Sequence, residues 1–453
     1  MDKVIFLSLI VLIFVMPEKA GAQRPLQKGY LLVQFLSTKD NLKGNEVHNI
    51  KDAKEIFSKI EGKIDGLEFY PIKYTPEDVE LHRSVAQEAE KFKIDLWISS
   101  WRLTERFLQN YEIPCEFQAY VMKPDGTIIK AKKNGSAVFD KLNPAAVQWF
   151  LREYEEKYLR KMQGLVSGYF FNEDHIPYLG KRKNNLRFNY WETASYSPAV
   201  YSSWKSYCVN NGVYYRGKIV DKFPVSKPEM VPNGKGQTKY FPGYDVPEKI
   251  KSGQKFVDIA KPTGVWKAWY DFLCEQFLKN WIEPVAEIVN KNNSNNPEWY
   301  GVMYFGLHQW LLSYHKIEDP SFKVSKVHNL GAWGRERGVD LLKLSKSPFI
   351  DFISLETLPP IQGANIESFV KEFKSQISGS DKNFGLMVHR DDRWKMSISE
   401  EKERWLLINK YKPDIILRYK LHNMIPGGEY FSSEIEKNFM DNLKNYKKNN
   451  NLK

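Results

Sequence analysis

From residue 30 onward the chain alternates between short runs rich in β-branched and aromatic residues and longer amphipathic stretches. Eight such runs stand out: 30–37 (YLLVQFLS), 66–74 (GLEFYPIKY), 94–102 (IDLWISSWR), 165–173 (LVSGYFFNE), 299–308 (WYGVMYFGLH), 350–357 (IDFISLET), 384–390 (FGLMVHR) and 413–420 (PDIILRYK). Most are nearly continuous in apolar residues, the pattern of strands in a parallel sheet whose faces are covered. The stretches between them read as helices. One over 77–91 follows Pro76 with Glu77 and Asp78 in its first turn, and one over 144–163 opens on Asn143-Pro144, an N-cap and a proline at the first helical position. Others fit 263–290, 331–345, 366–377, 399–410 and 432–447. Eight strands, each followed by helical or long connecting sequence, predict an α/β fold of the (β/α)₈ type, a TIM barrel. An open doubly wound sheet is the alternative, and no Gly-rich phosphate loop follows the first run to support it.

The connections are uneven. The third run is followed by 103–143, which contains a hairpin pattern, CEFQAYVMKPDGTIIK, with its turn at Pro124-Asp125-Gly126. The fourth is followed by an insertion of about 174–262, rich in Lys, Tyr and Pro. Loops at the carboxyl ends of barrel strands build active sites, so these two should wall a cleft. One catalytic barrel over 23–440 is expected, with 441–453 as a frayed, disordered tail.

Aromatic residues make up 14% of the chain and apolar ones 42%, which excludes a disordered protein. Three cysteines, Cys115, Cys208 and Cys274, build neither a disulfide scaffold nor a four-thiolate metal site. Residues 1–22 carry Lys3, an apolar run Val4–Met16 and the triplet Ala20-Gly21-Ala22, the pattern of a cleaved signal peptide. That run falls short of the roughly 20 residues a membrane span needs, so an exported product beginning at Gln23 is expected, periplasmic or extracellular, without stable membrane insertion. The net charge of +12 invites an anionic partner, but no Lys/Arg block is dense enough for a nucleic-acid tail.

Chemistry should sit at the carboxyl ends of the strands. The fourth run closes on Asn172-Glu173-Asp174, and a Glu flanked by Phe170 and Phe171 can have its pKa raised by desolvation and serve as a general acid. The sixth closes on Glu356, a second carboxylate at the same end. Hydrolysis of a glycosidic bond needs such a pair, one group to protonate the leaving oxygen and one to attack or to activate water, and it needs no cofactor. Asp391 and Asp392, after the seventh run, offer a runner-up second carboxylate, although Arg390 and Arg393 beside them suit a salt-bridged cluster. Basic groups recur at the strand ends, Lys73, Arg102, Arg390, Arg418 and Lys420, and would suit a sulfated or carboxylated ligand. Aromatic rings there, Tyr70, Trp97, Trp101, Tyr304, Trp310, Trp394 and Tyr419, include candidate sugar platforms. His175, His308, His389 and His422 raise a metal hydrolase as a third class, but no H-x-H or H-E-x-x-H spacing supports a metal site, and single histidines on sugar hydroxyls fit better.

The stretch from Asn143 through Glu173 resembles the clan A glycoside hydrolases, in particular the family 42 β-galactosidases, in which an Asn-Glu pair closes the fourth strand. VMYFGLHQW, DFISLETLPP, FGLMVHRD and IILRYKLHN resemble that family's later strands in order and spacing, and YSPAVYSSWKSYC, Tyr196 to Cys208, looks like the helix after its acid/base loop. The resemblance implies Glu173 as acid/base, Asn172 on the sugar 2-hydroxyl, and a galactose-containing polysaccharide as substrate. Three features depart from the family. The seventh strand ends Val388-His389-Arg390 where the family has its nucleophilic Glu, the zinc-binding cysteine cluster is absent, and the chain ends soon after the barrel. Glu356 as nucleophile, Glu356 or one of Asp391 and Asp392 as base of an inverting mechanism, and a barrel that binds glycan without cleaving it all remain open on these residues.

Overall fold

The short apolar runs become strands because their β-branched and aromatic side chains fit a pleated surface that is covered on both sides. In the computed structural model these strands are β1 (Tyr30–Ser37), β2 (Gly66–Tyr70), β3 (Asp95–Ser99), β4 (Gly168–Phe171), β9 (Trp299–Phe305), β10 (Phe352–Glu356), β11 (Asn383–Val388) and β12 (Ile415–Arg418). All eight pair in parallel and close in the order β1-β12-β11-β10-β9-β4-β3-β2, a (β/α)₈ barrel. Two small antiparallel pairs, β5 (Tyr214–Tyr215) with β6 (Lys218–Ile219) and β7 (Ser226–Met230) with β8 (Gly236–Tyr240), lie in the insertion after β4. The structure describes residues 28–38, 46–100, 103–122, 126, 128–129, 138–171, 195–223, 226–230, 236–240, 264–291, 299–305, 338–356, 366–388, 398–418, 421, 424–426 and 431–452.

The helices are α1 (Ile50–Ile60), α2 (Pro76–Lys91), α3 (Leu103–Phe107), α4 (Pro144–Tyr154), α5 (Arg160–Met162), α6 (Pro198–Asn210), α7 (Gly264–Phe277), α8 (Glu283–Lys291), α9 (Leu341–Lys346), α10 (Ile366–Ile377), α11 (Ile398–Tyr411) and α12 (Ser433–Asn449). Wide π turns at Glu155–Leu159 and Leu278–Ile282 join α4 to α5 and α7 to α8. The caps follow from sequence. Asn49, Thr75, Asn143, Ser197 and Ser432 each accept a backbone N–H of the first helical turn, satisfying donors that have no partner within the helix.

Strand parity divides the core into two. Leu31, Val33, Leu67, Phe69, Leu96, Ile98, Ile353, Leu355 and Ile416 face the helices, in one large apolar cluster. Tyr30, Leu32, Trp97, Phe170, Phe352, Met387, Ile415 and Leu417 fill the barrel itself. Trp97 sits edge-on to Tyr30 and Phe352, and its indole N–H donates to the Tyr30 hydroxyl at 3.0 Å. Gly301 makes room for this filling: a Cβ there would lie 1.9 Å from the Phe352 ring. Register is pinned at the amino-terminal end by one device used three times. Asp65, Asp351 and Asp414, each just before a strand, accept the backbone N–H of Leu31, Tyr300 and Phe384 on the neighbouring strand, each at 2.8 Å.

Several expectations change. Trp97 is barrel core and presents no face to a sugar. The region of the expected hairpin forms isolated antiparallel bridges, Met122 with Ile128 and Tyr120 with Phe139, preceded by a short 3₁₀ turn at Cys115–Phe117; residues 123–125 and 127 lie outside the described residues. Residues 441–449, expected to fray, complete α12, because Phe439, Leu443 and Tyr446 recur on one helical face and are buried. Tyr446 donates to the Pro413 carbonyl at 3.3 Å and Lys447 pairs with Asp65 at 3.1 Å. Among the described residues no helix is long and apolar enough to cross a membrane. The expected signal segment, 1–22, lies outside them.

Candidate active site

All eight strands point the same way, so the chain leaves their carboxyl ends on one face. β9 separates β4 from β10, which places Phe171, the last residue of β4, and Glu356, the last of β10, at that face two strands apart. The backbone of Glu356 is opposite Phe305 of β9 and two residues beyond Ser354, whose parity faces the barrel interior. Asn172 and Glu173 follow Phe171 directly in the chain and lie outside the described residues, as do Trp101, Arg102, His308, His389, Arg390, Asp391 and Lys420. Tyr304 is described by its place in β9, opposite Leu355. Tyr70 ends β2 on the interior parity and is 1% exposed.

Arg418 is a correction. It ends β12, but Ile415 and Leu417 fill the barrel and Ile416 faces the helices, so alternation turns Arg418 outward. There its guanidinium lies 2.7 Å from the Glu436 carboxylate and 3.9 Å from the centre of the Phe439 ring, both on α12, and is almost fully buried. A group so enclosed on the outer wall does not reach a ligand at the barrel mouth. Lys73 lies beyond the end of β2 and is exposed.

The barrel interior holds polar groups that the apolar look of the strands conceals. Glu68 alternates with Leu67 and Phe69 and therefore points inward. It is fully buried, and its Oε2 accepts a hydrogen bond from Nε2 of Gln34 on β1 at 2.5 Å. Ser99 of β3 and Ser354 of β10 share the interior parity and are equally buried. In the strand register Glu68 lies opposite Trp97 and Ser99 opposite Phe170, so polar groups and aromatic rings share the interior filling. A carboxylate with its desolvation offset by an amide is unusual in a filling that bulky apolar residues dominate. The signal was available: GLEFY is a buried run with one carboxylate, at the parity that points in.

A second polar knot joins the two long connections. Asp140, ahead of α4, accepts from Ser195 Oγ at 2.7 Å and from the Leu142 backbone N–H at 3.1 Å. Burial raises its pKa, against the lowering effect of bonds from Ser195, Ser197 and Leu142. Next to it Lys141 is also buried, its ammonium 5.1 Å from the centre of the Trp281 ring, and desolvation pulls its pKa down to about 7 against the opposing charge of Glu105. Ser195 and Ser197 lead into α6, so this knot fixes the far end of the segment that begins with Asn172 and Glu173. Among the described residues no group of three or more His, Cys, Asp or Glu side chains is placed to hold a metal ion.

No family model matches the chain, and no curated protein matches it. Solved structures do. An endo-1,4-beta-mannanase from Rhizomucor miehei superposes over 94% of this chain and 96% of its own, with 9% identity and a TM-score of 0.46. An endo-beta-1,4-mannanase from Thermotoga petrophila covers 94% and 78%, with 9% identity and a TM-score of 0.42. The likeness is one of general architecture, and the barrel itself is defined by the closed strand register.

Proposed function

We propose that the protein is an exported glycoside hydrolase acting on a polysaccharide by two-carboxylate chemistry. The observation that carries this reading is the closed barrel whose β4 runs directly into Asn172-Glu173 and whose β10 ends on Glu356 at the same face. In this reading Glu173 delivers its proton to the leaving glycosidic oxygen. Glu356, with Asp391 as runner-up, either attacks the anomeric carbon or takes a proton from the attacking water. A carboxyl separation of about 5–5.5 Å corresponds to retention and about 6.5–9.5 Å to inversion. Asn172 would orient the sugar 2-hydroxyl, and the family 42 resemblance favours a galactose-containing glycan. The excess of basic residues, +12 over the chain, favours one bearing sulfate or carboxylate, met by Arg102, Arg390 and Lys420.

The test is release of new reducing ends from neutral, sulfated and uronic-acid polysaccharides, comparing the protein with Glu173→Gln. Loss of a proton donor predicts a fall of about 10²- to 10⁴-fold on the one substrate that is cleaved. Equal release by both would remove Glu173 from its role. A second reading, a barrel that binds glycan without cleaving it, is favoured by one feature: β11 ends at Val388 and the chain continues with His389-Arg390, where the resembling family carries its nucleophile. Binding without release by the unaltered protein would establish it. Mass analysis of the exported protein tests the leader, with Gln23 expected as the first residue.

A further inference from the structure

After each strand the chain returns to the amino-terminal end of the barrel, so the last turns of the helices gather on the face opposite the candidate site. The last helix of every returning segment, α1, α2, α5, α8, α9, α10, α11 and α12, carries Lys or Arg in its final turn. Residue 28 and the segments 57–65, 88–95, 159–167, 288–291, 343–351, 374–382, 408–414 and 446–449 make up this face. They hold sixteen Lys or Arg and eight Asp or Glu, a two-to-one excess where the whole chain has 67 against 55. Four of the eight acids serve the barrel itself: Asp65, Asp351 and Asp414 accept backbone N–H groups, and Asp95 accepts the Tyr30 hydroxyl.

A cation in the last turn of a helix meets the negative end of its dipole, which accounts for a lysine there but falls off beyond that turn. Lys93 and Lys412 lie past the ends of α2 and α11, with φ of 55° and 46°. At the corresponding place after α1, α5 and α10 the chain uses Gly62, Gly164 and Gly379, the residue that a left-handed backbone favours. A lysine costs strain there. Both lysines are exposed, and among the described residues neither ammonium has an ion pair or a hydrogen bond. Lys161 and Lys448, also exposed, are in the same state.

These charges are spread around the whole ring of helix ends. A linear polyanion would need them in a row, whereas a planar anionic surface meets them together. The chain also enters the barrel here. Lys28 is exposed just before β1, and only residues 17–27 separate it from the apolar run Val4–Met16, a reach of at most about 40 Å. A leader held in a membrane therefore brings this face to the bilayer.

We propose that the amino-terminal face of the barrel is a docking surface for an anionic lipid bilayer. Docking is electrostatic adsorption of folded protein to lipid headgroups, with no insertion of the barrel. It turns the carboxyl ends of the strands away from the lipid, so the candidate site opens to the medium. The proposal stands apart from the glycoside hydrolase reading, since it uses none of that site's residues.

The experiment is co-sedimentation of the exported protein with vesicles of phosphatidylcholine alone and of phosphatidylcholine with about a third phosphatidylglycerol, over a series of salt concentrations. One variant combines Lys93→Gly, Lys412→Gly, Lys161→Gln and Lys448→Gln; the glycines suit the left-handed backbone, so the fold is retained. A second removes the same charge from exposed lysines upstream of the last turns of α1, α6, α11 and α12, as Lys51→Gln, Lys205→Gln, Lys402→Gln and Lys437→Gln. The unaltered protein should bind the anionic vesicles and release them as salt rises. The first variant should lose about tenfold or more in affinity and the second no more than about threefold. Thermal melting of each variant confirms that it is folded. Equal binding to neutral vesicles, equal losses in the two variants, or no binding to anionic vesicles overturns the proposal. So does capture by dextran sulfate that depends on the four lysines of the first variant when vesicle binding does not, which would assign the face to a soluble polyanion.

Discussion

Two buried carboxylates, one on each side of the barrel wall, are treated differently by the fold. Glu436 reaches the wall from outside and meets Arg418, a full opposite charge at 2.7 Å, under the Phe439 ring. Glu68 points inside and meets the amide of Gln34 at 2.5 Å. In the outer pair opposite charges meet where they are buried and join β12 to α12, while among the described residues Nη1 of Arg418 and both carboxylate oxygens of Glu436 form no hydrogen bond. In the inner pair a neutral amide meets the carboxylate, and among the described residues its own oxygen forms no hydrogen bond. Burial alone therefore does not mark a functional carboxylate.

The strongest way to test the outer pair is to break it. Arg418→Met leaves Glu436 buried without its charge and should cost about 3–5 kcal/mol, read from urea unfolding at pH 7. Adding Glu436→Leu should recover most of that loss, since an apolar pair of similar volume replaces a buried ion pair at little cost. Neither variant should alter sugar binding. A change in affinity of Arg418→Met at full folding would return Arg418 to the site and erase the contrast.

His82 sharpens the same point with a group that has no charged or amide partner. It lies on α2 between Phe69 and Tyr158, with ring centres 5.0 and 5.8 Å away, and among the described residues neither ring nitrogen is hydrogen-bonded. Desolvation pulls its pKa from 6.5 down to about 3, against the charge of Asp78. The folded state thus holds it neutral, while the unfolded chain takes up a proton below pH 6.5. Stability is present above pH 6.5 and is lost as pH falls toward 3, by up to about 1.4 kcal/mol per pH unit in that window. His82→Phe should flatten the difference in stability between pH 7 and pH 5 by about 2 kcal/mol, read from paired urea titrations at the two pH values. An unchanged difference would mean that the imidazole finds water or a partner in solution.

The barrel was legible because its strands are short apolar runs bounded by turns and separated by amphipathic stretches long enough to cross back. Predicted and observed strands agree to within a few residues, with the first, 30–37, matching at both ends. Parity was harder. Arg418 closes a strand and is basic, which reads as a site residue until one asks which way Leu417 points. Glu68 was passed over for the converse reason, since a run that is apolar on both faces hides the one residue that is not. The end of the chain misread because Asn and Lys dominate its composition, while Phe439, Leu443 and Tyr446, three and four residues apart, carry its packing. Glu173 and Asn172 rest on chain position and resemblance alone, because the residues after Phe171 lie outside the described part.

Lys447 and Asp65 give the smallest effect and the cleanest control. They form an ion pair at 3.1 Å between α12 and the turn before β2, with side chains 23% and 35% exposed. Water screens such a pair, and Asp65 has a second task that does not depend on Lys447, accepting the Leu31 backbone N–H at 2.8 Å. Lys447→Met should therefore cost no more than about 1 kcal/mol, and less as salt rises, because the carboxylate it leaves behind is neither dry nor unpartnered. Asp65→Ala should cost more than Lys447→Met, since it also strips β1 of the acceptor that pins its register. Equal losses for the two, or a Lys447→Met loss near that of Arg418→Met, would show that opposite charge rather than burial sets what these contacts contribute, and the distinction between the two sides of the wall would have to be drawn elsewhere.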